Sequence, residues 1–359
     1  MSATLRADAV EEAQEALRGH EHVLARGGGT KPALSSPPED TATLDMSGLT
    51  GIQDYDPEEL TFTARAGTPL SDIEDALAEN GQYLPFDPPL VAAGATLGGA
   101  VAAGTSGPLR YRNGGVRDFI LGVRFLDGEG RVVTAGGRVV KNAAGFDLAK
   151  LMVGSAGRLG VMVELSFKVF PQPEAWATLT VDCAGLDEAL EVIEELATAP
   201  FDLEALDLEP PGRLRLRLAG IADAMPARLE RLEGILDQPG ERLEGEEEGA
   251  LWRESRDFAW VAGDAAIVKV ALVPKQVPDL EAKLQPLEVK RRYGAGANIG
   301  WLAWPETRPA HELDELLRSL HLAGVFLTGS PGEPMVGAHR GGAFAQRVKS
   351  ALDPSGRFP

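Results

Sequence analysis

Several glycine-rich segments hold the residues whose types and spacing could do chemistry. Arg26-Gly27-Gly28-Gly29-Thr30-Lys31 joins successive main-chain N–H donors to a hydroxyl and two cations. Gly94-Ala95-Thr96-Leu97-Gly98-Gly99 and Gly104-Thr105-Ser106-Gly107 follow. Lys141-Asn142-Ala143-Ala144-Gly145-Phe146-Asp147 and Gly154-Ser155-Ala156-Gly157-Arg158-Leu159-Gly160-Val161 complete the series. Glycine lets main-chain N–H groups face a ligand and tolerates positive φ at turns. Segments this poor in large side chains do not build a packed core. They suit a backbone in direct contact with a large, flat, phosphate-bearing ligand, so a cofactor protein is expected.

Each motif also has a plainer reading. The Arg26–Lys31 nest fits a pyrophosphate, and it equally fits an ordinary hairpin turn. The spacing G-x-x-x-x-G-K-[ST] is absent, so it is no P-loop. Gly294-x-Gly296-x-x-x-Gly300 imitates a dinucleotide fingerprint, but no βαβ pattern surrounds it and Trp301-Leu302-Ala303-Trp304 continues as strand. A bend between strands is expected there, and a nicotinamide enzyme is disfavoured. No G-x-S-x-G elbow and no H-E-x-x-H helix occurs. Cys183 reads as a buried structural thiol rather than a nucleophile. His339-Arg340 could supply a base and a carboxylate-binding cation, or could be a surface loop pair.

Composition narrows the classes. The chain has 359 residues and a formal net charge of -19, which disfavours nucleic acid and anionic membranes. Its single cysteine excludes an internal disulfide. An iron–sulfur cluster held by this chain alone is excluded too, since it needs about four thiolates. The five histidines are mostly scattered, so no protein-held metal is expected. The N-terminus lacks the basic and apolar regions of a secretory signal. Pro88–Leu109 carries no formal charge until its flank but is too rich in Gly and Ala for a membrane span, so a buried ligand-facing loop is expected.

The elements that must position these motifs follow from periodicity. Val10, Ala13 and Leu17 predict a short amphipathic helix. A strand near 22–25 feeds the first glycine turn, and further strands are expected near 42–45, 51–54 and 60–65. A helix is predicted from Pro69 to Gly81, and a hairpin around Asp127-Gly128-Glu129-Gly130. Pro171-Gln172-Pro173 marks the main boundary. Beyond it the pattern predicts an α+β sheet with helices on one face, including a hairpin at Pro210-Pro211-Gly212. Glu244–Glu248 reads as an acidic loop. The predicted division is 1–172, 173–308, and a final segment 309–359.

Arg26–Thr30, Ala66-Gly67-Thr68-Pro69-Leu70, Ala95–Gly99 and Gly154–Val161 together resemble the FAD-binding domain of the vanillyl-alcohol-oxidase, or PCMH, type. Gly104-Thr105-Ser106-Gly107-Pro108, Val116–Gly122 and Val139–Asp147 are similar, more narrowly, to the FAD-binding subunit of bacterial glycolate oxidase. The resemblance is strong over about residues 20–172 and returns at Ala351–Phe358. It implies an α+β fold: a two-subdomain PCMH-type domain, an α+β ferredoxin-like cap, and a last segment returning toward the FAD domain. It implies an FAD-dependent oxidoreductase acting on CH–OH groups.

In that frame Arg26, Gly27, Gly28, Gly29, Thr30 and Lys31 would hold the pyrophosphate. Gly94, Ala95, Thr96, Leu97, Gly98, Gly99, Thr105, Ser106 and Gly107 would line the pyrophosphate and ring. Gly154, Gly157, Gly160 and Val161 would meet the adenine end or ribitol, and Lys141 and Asn142 the flavin side. Thr30 stands where relatives with covalent FAD carry histidine, so FAD is expected to be non-covalent. Phe358-Pro359 replaces the usual Phe-Asn-Pro-Gly. No segment matches the His-x-Gly-Asp-Gly-Asn motif of catalytic relatives, so no catalytic base is assigned beyond the candidates His339 and Arg340.

These departures point to glycolate oxidation with a homologous catalytic FAD subunit and an iron–sulfur subunit. The complex would be cytoplasmic, or peripheral to the inner membrane through its partners. The alternatives are a stand-alone 2-hydroxy-acid or alcohol oxidase, and a structural subunit with a vestigial FAD site.

Overall fold

Short apolar runs separated by glycine turns become strands in the first part of the chain. The computed structural model describes residues 3–137, 147–339 and 341–359. It divides into two compact units. One comprises Met1–Ser106, Gly115–Gln172 and Arg340–Pro359, the other Gly107–Gly114 and Pro173–His339. The chain passes from the first unit to the second after Gln172. The last segment is itself divided: residues through His339 stay with the second unit, and the following ones belong to the first.

The first unit holds two main sheets. Thr4–Arg6, Ala42–Asp45 and Val23–Arg26 form a parallel sheet with Ala42–Asp45 in the centre. Parallel neighbours need a crossover, and helix Val10–Gly19 supplies one, burying Val10, Ala13 and Leu17 at helical spacing. The second sheet is antiparallel, in the order Ile52–Asp56, Thr61–Arg65, Val161–Lys168, Ile120–Leu126, Val132–Gly136. Its hairpin at Asp127 is closed by the side chain, whose Oδ1 accepts from the N–H groups of Glu129 at 3.0 Å and Arg131 at 2.9 Å.

Pro88–Leu109 contains a helix, Leu97–Ala103, where an irregular loop is expected from composition. Thr96 caps it: its Oγ1 accepts from Gly99 N at 3.3 Å. Leu97, Ala100 and Val101 are buried, and this short apolar stripe suffices because tertiary packing, not propensity, holds the helix.

The described end of the chain is stitched into the first unit. Asp353 accepts from Arg357 N at 2.8 Å and Phe358 N at 2.9 Å. The Arg357 guanidinium donates to the carbonyls of Leu17, His20 and Gly128. Phe358 is 1% exposed in a core with Leu17, Val23, Leu44, Met46 and Val161.

The second unit is built on a nine-stranded sheet. Along Arg213–Gly220 the pattern alternates: Leu214, Leu216 and Leu218 are buried on one face, and Arg213, Arg215 and Arg217 occupy the other. The acidic run Glu244–Glu248 is not a loop. It ends a strand, Glu241–Glu244, and starts helix Gly245–Arg256. Acidic side chains in a first helical turn complement its N-terminal partial charge. Glu248 also has a tertiary partner: it accepts from Arg217 at 2.8 and 3.0 Å and from Thr178 Oγ1 at 2.9 Å. Among the described residues no helix is long and apolar enough to cross a membrane.

Candidate functional site

Strand Val23–Arg26 delivers the first glycine loop to the rim of a cavity of about 360 Å³ in the first unit. Arg26, Gly27, Gly28, Gly29, Thr30 and Lys31 all line it. The loop has to be glycine for a packing reason. A Cβ on Gly28 would stand 1.9 Å from the Gly94 carbonyl oxygen, and one on Gly27 would stand 2.2 Å from Thr96 Oγ1. Gly29 adopts φ +67°, which L side chains rarely tolerate. The loop therefore presses its backbone against the segment 94–96 and leaves its other side open to the cavity. Lys31 Nζ donates to Thr30 Oγ1 at 3.3 Å.

The second wall comes from Thr96, Gly98, Gly99 and Ala102. Gly98 sits where helix meets strand: its N–H donates to Ala66 O at 2.7 Å, and an added Cβ would lie 2.8 Å from the Ala66 side chain. The third wall is the turn at Ala156, Gly157 and Gly160. Its backbone is tied to the helix, with Gly154 N donating to Val101 O at 2.9 Å and Ala156 N to Ala102 O at 2.8 Å. Gly157 has φ +78° and no atom within 4 Å of a would-be Cβ, so its exposed side is open space.

Other predicted residues stand behind these walls. Ala95, Leu97 and Val161 are buried in the core. Gly94 supports Gly28 through its carbonyl, and Gly154 supports the turn. Ser106 Oγ accepts from Val116 N at 3.0 Å, so this hydroxyl is used within the fold. Thr105 Oγ1 and Ser155 Oγ are buried without a hydrogen-bond partner among the described residues. Unsatisfied buried hydroxyls are uncommon and mark places where a ligand or water completes the bonding.

Gly107 belongs to the second unit. So does His339, whose Nδ1 lies 3.2 Å from Gly337 O. Lys141, Asn142 and Arg340 lie outside the described residues. Cys183 is half-buried rather than fully buried, and burial raises its thiol pKa, which keeps it protonated and unreactive. Met46, Met162, Pro32 and Leu34 also line the cavity, an apolar contribution with no local sequence signal. Among the described residues no group of His, Cys, Asp or Glu is placed to hold a metal ion.

A cavity with glycine backbone on three of its walls has the form of a cofactor-binding domain. Residues 2–136 match the FAD binding domain family. Over its whole length the fold is similar to that of an alkyldihydroxyacetonephosphate synthase, with a TM-score of 0.69 at 15% identity, covering 98% of this chain and 74% of that one. The chain is 34% identical over 354 residues to glycolate oxidase subunit GlcE of Escherichia coli, covering 97% of this chain and 94% of that protein. It is 31% identical over 189 residues to glycolate oxidase subunit GlcD of Bacillus subtilis, covering 52% of this chain and 40% of that one.

The class is therefore that of the FAD-dependent oxidoreductases that act on hydroxy acids. Within it, the chain belongs to the family of the FAD-binding glycolate oxidase subunit GlcE.

Proposed function

We propose that this chain is the FAD-binding subunit of a complex that oxidises glycolate to glyoxylate and passes the electrons to a partner subunit. The observation that carries the proposal is the likeness to GlcE along 97% of the chain, combined with the glycine-lined cavity. The residues present fit FAD: the cavity is lined by the glycine loop Arg26–Lys31 and by Gly98, Gly99, Gly157 and Gly160, and at Gly157 a Cβ would project into open space. FAD would supply a two-electron acceptor.

In this proposal Arg26–Lys31 bind the pyrophosphate through main-chain N–H groups and two cations. Gly157 allows close approach, Gly98 lets the helix pack against Ala66 behind the site, and Met46 and Met162 shield the cofactor from water. No side chain of the loop is a histidine, which favours non-covalent FAD. One cysteine cannot hold a cluster, so electron transfer calls for an iron–sulfur partner beside a homologous catalytic flavoprotein. The complex then works in the cytoplasm, held at the inner membrane through its partners.

The test is anaerobic glycolate addition to the FAD-loaded chain, alone and with its co-expressed partners. Oxidised flavin bands in the chain alone, bleaching in the complex, and loss of glycolate turnover when this chain is omitted are expected. A complex that turns over glycolate equally well without this chain would refute the proposal.

A further inference from the structure

The polar face of the first unit's antiparallel sheet carries a pair of arginines that the cofactor site does not use. Glu164, on strand Val161–Lys168, stands directly opposite Arg65 on one neighbouring strand and Arg124 on the other. Side chains on such opposed pairs share a face. Both guanidiniums reach the same oxygen, Glu164 Oε2, with Arg65 Nη1 at 3.6 Å and Arg124 Nη1 at 3.5 Å. At those distances the charges attract but no good hydrogen bond forms.

Arg65 Nη1 is buried and has no hydrogen-bond partner among the described residues. The next pair along the same two strands, Thr63 and Ser166, is occupied: the two hydroxyls meet at 2.7 Å. A guanidinium offers five donors in a planar fork. Here two forks converge on one carboxylate oxygen. A buried donor with no acceptor is costly, so a native fold retains one where something else supplies the acceptor.

Charge indicates what that something carries. The row holds two cations and one anion, an excess of one positive charge in a chain of net charge -19. One carboxylate bridging the two guanidiniums would neutralise it with charge-assisted hydrogen bonds. The face is open to a partner: side-chain exposure is 24% at Arg65, 19% at Glu164 and 36% at Arg124. Beyond Arg124 the sheet ends on strand Val132–Gly136, where Thr134 lies opposite Arg124 and Val132 is 40% exposed. Arginine beside exposed apolar surface suits a protein interface. The predominantly acidic surface elsewhere repels an acidic partner, so charge directs it here.

The row also borders the cavity. Ala66, next after Arg65, and Met162, two residues before Glu164, both line it. Two residues of strand span about 7 Å. An electron acceptor has to sit close to its donor, and a partner seated on this row does.

We propose that this row is the docking surface for the electron-accepting partner subunit, which places an acidic side chain between Arg65 and Arg124. The proposal deepens the reading of the chain as part of a complex and rests on it.

Dissociation of the co-expressed complex on dilution, followed by size-exclusion chromatography with flavin absorbance, tests it. Wild type is expected to hold its partner at about 0.15 M salt and to release it toward about 1 M, where screening shortens the reach of charge. Arg124→Glu and Arg65→Gln should each weaken the partner's affinity by about tenfold or more. Lys283→Glu makes the same charge change as Arg124→Glu at an exposed position of the second unit, and should leave assembly as in wild type. FAD content should be unchanged in all three variants, which separates loss of the docking surface from loss of the fold. Should Arg65→Gln fail to fold, Arg124→Glu and the salt series carry the comparison.

Assembly of Arg124→Glu as tight as wild type, or equal weakening by Lys283→Glu, would overturn the proposal. So would a complex from which Arg124→Glu releases only a second copy of this chain, since the acidic group would then be the chain's own. A wild-type chain that retains no partner at all would take down the complex reading with it, so the two failures are distinguishable.

Discussion

Gly157→Val and Gly98→Val both add a side chain beside the same cavity, and the structure predicts different consequences. At Gly98 the new Cβ would lie 2.8 Å from the Ala66 side chain and 2.9 Å from the Ala66 carbonyl, with no room to yield. Overpacking of this kind costs about 1–3 kcal/mol, and a backbone obstacle puts it at the upper end. The apo chain should lose stability accordingly.

At Gly157 the new Cβ meets nothing within 4 Å, so no clash arises. The residue's φ of +78° costs a valine about 1–2 kcal/mol. The isopropyl group then projects into the space the cofactor would occupy. A hundredfold loss of FAD affinity is expected, equivalent to about 2.8 kcal/mol. The assay pairs urea unfolding of the apo chain with fluorescence titration of FAD. Gly157→Val should separate the two readouts, losing affinity by more than its loss of stability, and Gly98→Val should lose stability first. Wild-type FAD affinity in Gly157→Val would refute the placement of FAD in this cavity.

Phe358→Ala removes a fully buried ring from the core shared by both ends of the first unit. A loss of about 3–5 kcal/mol in urea unfolding is expected, and a loss below about 1 kcal/mol would show that the tail is not anchored as described. The raised carboxyl pKa of Asp207 has a defined sign in stability. The folded state holds the proton up to about pH 6, against 3.8 for the ordinary group, so its contribution is greatest below pH 4 and fades as pH rises to 6. The fade amounts to about 3 kcal/mol and should disappear in Asp207→Asn, read as the difference between wild-type and variant unfolding curves across that range.

Local signals in the chain predict much of this protein. Helix Val10–Gly19 follows from apolar residues at helical spacing, and the Asp127 hairpin from its turn residues. The glycine loop Arg26–Lys31 stands out because backbone that must approach another surface closely excludes side chains, and that exclusion is written in residue type. Helix Leu97–Ala103 was hidden by the same glycines: their low helix propensity masks a helix that packing against Ala66 sustains. Glu248 reads as a solvated acid until Arg217, thirty-one positions earlier, is brought to 2.8 Å.

What the sequence by itself determined is the set of loops able to meet a phosphate-bearing cofactor, together with their family resemblance. Tertiary structure alone decided which of those residues line the cavity and which support it from behind. It alone brought Arg217, Thr178 and Glu248 together from a sheet and a helix. The reason is physical. Turn geometry and glycine tolerance are properties of a few adjacent residues, whereas burial, a guanidinium left without a hydrogen bond and a shifted pKa come from strands paired across distant parts of the chain.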